Sequence, residues 1–167
     1  MRAAAAVAIL LTAVPAGRAQ PAAPGFAVQR VWTADTMANA AGTISVTPDP
    51  SKLLIVVDVT ATGALPVTVR VDQLAAVAGT GGFGLFGAAP VSPGNFDAFI
   101  GFPPGWRTFT DAEHRQVRMG REKPDDPIQL IVAPGAMVSL VYIVPKGGPP
   151  LTVTLPGAGA VPLVVVK

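Results

Sequence analysis

The runs LLIVVDVTATGALPVTVRV, Leu53–Val71, and IQLIVAPGAMVSLVYIVP, Ile128–Pro145, decide the fold. Both alternate apolar and polar residues with period two and break at Gly and Pro, as strands with one face on a core do. Within Lys52–Thr62, Leu53, Ile55, Val57, Val59 and Ala61 share one face, and Asp58, Thr60 and Thr62 share the other. Thr62-Gly63-Ala64-Leu65 reads as a turn. Pro66–Leu74 then reads as the strand that returns alongside, with Val67, Val69 and Val71 inward and Thr68, Arg70 and Asp72 outward. The β-branched content and the strict alternation exclude a helix.

Outward from these runs the same signals recur. Phe26–Trp32 and Thr43–Thr47 read as short first strands, and Pro48-Asp49-Pro50 forces a turn before Lys52, because proline fixes φ and removes a ladder donor. Ile128–Ala133, Met137–Val144, Leu151–Leu155 and Val161–Val166 give four more strands, punctuated by Pro134-Gly135, Lys146-Gly147-Gly148 and Pro156-Gly157. Short strands, frequent turns and the lack of a sustained helical period predict an all-β antiparallel sandwich in a single domain, 26–167.

The first nineteen residues have the features of a signal peptide. Arg2 is a short positive region, Ala3–Val14 is apolar apart from one Thr, and Gly17-Arg18-Ala19 places small residues where a signal peptidase reads. Cleavage after Ala19 leaves a Pro/Ala leader, Gln20–Gly25, expected to be extended or mobile, and no transmembrane segment. The apolar stretch is shorter than the roughly 20 residues that span a bilayer. The expected compartment is secreted or periplasmic.

Loss of that segment changes the charge. The chain has 12 Lys+Arg and 10 Asp+Glu, but Arg2 and Arg18 leave with the leader, so the mature chain is near neutral. A neutral surface lacks the clustered basic side chains that nucleic acid requires. With no Cys, the fold is held by burial alone. About 148 residues suffice for one core, and half of the chain is apolar with 13% charged.

PDPSKLLIVVDVTATGALPVTVRVDQL, from Pro48, resembles the first strand pair of a bacterial immunoglobulin-like extracytoplasmic family of unknown function, whose architecture secreted mycobacterial antigens share. APGAMVSLVYIVPKGGPPLTVTLP, from Ala133, resembles its closing strands, and Thr108–Met119 a hairpin with Asp111–His114 at its tip. The resemblance implies an immunoglobulin-like sandwich and carries no catalytic or binding residues. The chain departs from it between Leu74 and Thr108, which reads as a long Gly/Phe-rich insertion.

That insertion, Ala75–Arg107, concentrates the aromatics. Phe83, Phe86, Phe96, Phe99, Phe102 and Trp106 lie in it, with eight of the chain's 18 Gly. A connection of this length without structure of its own is usually functional or disordered, and this many aromatic rings argue against disorder. Two readings stay open. Either the rings fold over a sandwich edge and extend the core, or Phe83, Phe86, Phe96, Phe99, Phe102 and Trp106 form a surface for an apolar ligand or a protein partner.

Other motifs carry little chemistry. Gly79–Gly84 matches G-x-G-x-x-G, but no helix-forming stretch follows to present amides to a phosphate. Ten charged residues crowd Arg107–Asp126, which reads as a solvated hairpin, or as a short helix opened by the capping-box spacing of Thr110 and Glu113. Glu122, Asp125 and Asp126 are a calcium candidate without the 12-residue motif. His114 is the only imidazole, so a serine triad must use it, and Ser45, Ser51, Ser92 and Ser139 sit in no nucleophile-elbow context. His114 and Met119, with Met37 or Met137, are soft ligands for Cu(I). The expected function is a non-catalytic binding or interaction module without cofactor. The alternative is a periplasmic metal-handling protein or hydrolase centred on His114.

Overall fold

A computed structural model describes residues 22–92, 95–96 and 98–163, so the expected signal peptide and the end of the last expected strand lie outside the described residues. Fifteen strands follow one another: β1 (Gly25–Ala34), β2 (Met37–Ala38), β3 (Ser45–Val46), β4 (Lys52–Thr62), β5 (Val67–Arg70), β6 (Ala76–Ala78), β7 (Gly81–Phe83), β8 (Gly87–Ser92), β9 (Asn95–Phe96), β10 (Arg107–Thr110), β11 (Gln116–Gly120), β12 (Gln129–Val132), β13 (Met137–Pro145), β14 (Leu151–Leu155) and β15 (Gly159–Leu163). A 3-10 turn, Val71–Leu74, joins β5 to β6. Among the described residues no helix is long and apolar enough to cross a membrane.

The strands form antiparallel sheets in the orders β1-β4-β13-β8-β9, β10-β11-β12-β5 and β15-β14-β6-β7, with β2-β3 as a small hairpin. One apolar cluster joins them as a sandwich. Ile55, Val57, Leu140 and Tyr142 of the five-stranded sheet meet Val69, Val117 and Leu130 of one four-stranded sheet and Val153 and Leu163 of the other. Tyr142 also ties the layers by donating its hydroxyl to the Leu74 carbonyl at 2.9 Å. Burial pushes that phenol above its ordinary pKa.

The inward faces of Lys52–Thr62 and Val67–Val71 are as the alternation implies: Leu53 through Ala61 at odd positions and Val67, Val69 and Val71 all enter the core. Their pairing is a correction. β4 lies between β1 and β13, whereas β5 pairs with β12, so the Gly63 turn crosses between layers and makes no hairpin. Alternation reports which side of a strand is apolar; it is equally satisfied by neighbours in one sheet and by strands facing across a core. The returning strand also ends at Arg70, and its expected second half is the 3-10 turn. Gly25, placed in the leader on sequence grounds, begins β1.

The other face of β4 is covered too. Leu54 and Val56 form a second cluster with Met37, Ala89, Phe96 and Val141, roofed by Trp32, Ile44, Val46 and Phe99. The expected outward Asp58 is therefore only 2% exposed. The Gly/Phe-rich insertion is likewise a correction, because much of it is strand. β6 and β7 make a two-residue hairpin at Gly79-Thr80, with Gly79 at φ +56°, and β8 pairs with β13. The G-x-G-x-x-G match is that hairpin, and strand β8 follows it instead of a helix. Thr108–Met119 is a hairpin, β10–β11, and not a short helix.

Candidate functional site

A row of polar residues crosses the outer face of the five-stranded sheet. Arg30 lies opposite Asp58, Asp58 opposite Ser139, and Ser139 opposite Ala89. A β-bulge between Val28 and Arg30 builds this row. Val28 pairs with Val59, so regular register would set Gln29 against Asp58; the extra residue brings Arg30 there instead. Asp58 Oδ2 accepts from Arg30 Nε and from Trp32 Nε1 at 3.0 Å, and Oδ1 accepts from Ser139 Oγ. The guanidinium of Arg30 also lies 5.0 Å over the Trp32 ring. A carboxylate this buried is tolerated because it is paired and accepts three hydrogen bonds.

Two clefts flank this row and share Arg30 and Val91. The larger, about 520 Å³, is bounded by Gln29 and Arg30 of β1, Asp58, Val91 and Met137 of the neighbouring strands, and Ala112, Glu113 and Arg115 of the β10–β11 turn. The smaller, about 200 Å³, lies under the β2–β3 hairpin and is lined by Trp32, Thr36, Met37, Ala38, Phe96 and Ser139.

Asp111 holds the turn that walls the larger cleft. Its Oδ1 accepts from the backbone N–H groups of Glu113 and Arg115, each at 2.9 Å, and its Oδ2 from Arg115 Nε at 2.8 Å and the Met137 N–H at 3.4 Å. Burial alone would raise its pKa, but the Arg115 guanidinium and the backbone donors outweigh that and hold it below the usual carboxylate range. Arg115 Nη1 also pairs with Glu113 Oε2 at 2.9 Å. The arrangement fixes two guanidinium groups, of Arg30 and Arg115, at one cleft.

The aromatic residues singled out in the sequence are separated. Phe83 is half-buried against the main core. Phe96 is 5% exposed and lines the smaller cleft. Phe99 packs on the outer cluster and meets Phe86, with ring centroids 5.5 Å apart; its ring occupies the space a Cβ on Gly87 would need. Phe102 is 54% exposed beside a shallow groove with Val71, Leu85 and Ile128. Trp106 donates Nε1 to Glu122 Oε1 at 2.9 Å, beneath the Arg118 guanidinium.

The other candidates are not gathered either. His114 is exposed on the β10–β11 turn with φ 60°. Met119 is in the main core, Met37 is in the outer cluster, and Met137 lines the larger cleft. Glu122 serves Trp106 and Asp126 caps the Lys123 N–H. Among the described residues no three His, Cys, Asp or Glu side chains come together as a metal site. Ser139 donates to Asp58, and neither cleft is lined by an imidazole. Sequence reading missed Arg30, Asp58, Arg115 and Ser139; the available signal was a single Asp inside an apolar run. No family model, curated protein or solved structure matches the chain.

Proposed function

We propose that the chain is an exported, non-catalytic binding module on an immunoglobulin-like β-sandwich, secreted or periplasmic, whose ligand surface is the pair of clefts adjoining Arg30. The observation that carries this reading is the larger cleft itself. About 520 Å³ of mostly hydrocarbon-lined space holds two oriented guanidinium groups, and an apolar concavity with a few fixed polar groups is how small-ligand sites are built. The non-catalytic part is supported by the only serine of the row being engaged with Asp58 and by the burial of Met119 in the main core and Met37 in the outer cluster, whereas His114 is exposed on the β10–β11 turn. Export is supported by Arg2, the apolar Ala3–Val14 and the small residues before Gln20.

A fragment screen read by two-dimensional amide NMR on the chain from Gln20 onward tests the site. Binders should move the resonances of Val91, Ala112 and Met137 first. Shifts confined to Leu85, Phe102 and Ile128 would transfer the function to the shallow groove and overturn this reading. Intact mass of material from the native host tests export: a product retaining Met1–Ala19 refutes it.

A further inference from the structure

We infer that the larger cleft takes a carboxylate-headed molecule with a flexible apolar chain, of the alkanoic-acid class; this rests on the binding reading above. Val91, Ala112 and Met137 offer hydrocarbon to the cleft, and no aromatic ring is among the described residues lining it. Without an aromatic face to stack on, a nucleobase or a sugar is less suited to the space than a chain.

The head follows from hydrogen-bond accounting. Asp58 already accepts three hydrogen bonds and Asp111 four. Their oxygens have little left for a ligand. Each guanidinium has five N–H donors; Arg30 commits Nε to Asp58, and Arg115 commits Nε and Nη1 to Asp111 and Glu113. What stays uncommitted is the terminal Nη pair of Arg30, and that of Arg115 once Glu113 leaves, and the group that complements such a pair is an oxyanion.

Charge selects which oxyanion. Asp58, Asp111 and Glu113 outnumber the two Arg, so an anion enters only in exchange for a carboxylate already there, and a dianionic phosphate would leave the cleft more negative than before. Glu113 is 71% exposed and can leave Arg115 for water, which makes room for one monovalent carboxylate. An ammonium head would find only that same screened Glu113.

Calorimetric titration of the mature chain with decanoate, decan-1-ol and decylammonium, below micelle formation, tests this. Decanoate is expected to bind about tenfold tighter than either of the others, the scale of one charge-assisted hydrogen bond. Glu113→Gln removes the competitor for Arg115 Nη1 and should tighten decanoate by roughly threefold without changing decan-1-ol. Ala112→Trp, at an exposed turn position, should abolish binding by filling the cleft while leaving the thermal melt in place. Decan-1-ol as tight as decanoate, decylammonium tighter than decanoate, or no decanoate heat at all each overturns the inference. The fragment screen reports separately whether the cleft binds anything, so the broader reading stands or falls on different data.

Discussion

Truncating Asp58 to Ala isolates what the buried carboxylate contributes to the fold. The substitution removes the acceptor for Ser139 Oγ, Trp32 Nε1 and Arg30 Nε at once. Arg30 is 61% exposed at its side chain, so its guanidinium rehydrates and loses little. Ser139 is 3% exposed and only borders the smaller cleft; an orphaned hydroxyl so nearly buried costs about 1–3 kcal/mol. Trp32 is half-buried at the rim of the smaller cleft and contributes about 1 kcal/mol. The relief of desolvating the carboxylate offsets part of this. Asp58→Ala should therefore destabilise by about 2–3 kcal/mol. With urea slopes of about 1–3 kcal/mol/M, the midpoint falls by roughly 1–2 M at unchanged slope. Adding Ser139→Ala should recover about 1 kcal/mol relative to the sum of the single changes, since no hydroxyl is then left unpaired. Trp32 fluorescence and far-UV circular dichroism follow the transition. A loss under about 0.5 kcal/mol for Asp58→Ala, or strict additivity with Ser139→Ala, would refute a shared buried network.

Three further outcomes are expected. Val57→Ala and Val69→Ala, in the same core but on different sheets, should each cost about 2 kcal/mol by urea denaturation, and Thr68→Ala, exposed on β5, under about 0.5; the reverse order contradicts the register. Phe96→Ala should cost about 3 kcal/mol and Phe102→Ala under about 1, because only the first is enclosed; equal losses would return both rings to the core. Asp111, whose folded pKa is depressed, contributes stability that is present above the unfolded carboxylate value of about 3.9 and is lost as pH falls through the folded one. The gap in urea midpoint between wild type and Asp111→Asn should therefore narrow from pH 7 toward pH 3, and a gap constant with pH would rule out that linkage.

Much of the architecture was readable because period-two alternation survives in the shorter strands β5, β12 and β14. Val67, Val69 and Val71 were assignable to the core, and Thr108–Met119 resembled a hairpin although its residues left a short helix open. What alternation does not encode is adjacency. Lys52–Thr62 and Pro66–Leu74 look like a hairpin in sequence, yet β4 and β5 lie in different sheets. Leu53–Val57 is apolar at every position, and such a run is the mark of a strand buried on both faces; weighing it against the alternation around Asp58 would have placed β4 centrally. The aromatic insertion misled for a related reason. Its glycines suggested a loose loop, whereas Gly79 makes a tight turn and Gly87 lets Phe99 lie on the sheet.

The site was beyond reach for a sharper physical reason. Its walls come from positions near 30, 58, 91, 113 and 137, which only the sheet order brings together. Even given that order, ideal pairing along β1 would turn Gln29 toward Asp58 and Arg30 away. The bulge reverses this, and a bulge has no signature in VQRVW. Its consequence links stability to recognition. A carboxylate at position 58, enclosed by the outer cluster, needs a cation, and the residue inserted at 29 supplies one by moving Arg30 across the sheet. The same displacement sets the guanidinium between the two clefts, with Nε held by Asp58. Moving Arg30 back to regular register would therefore remove the charge partner of the fold and the oriented donor of the site together.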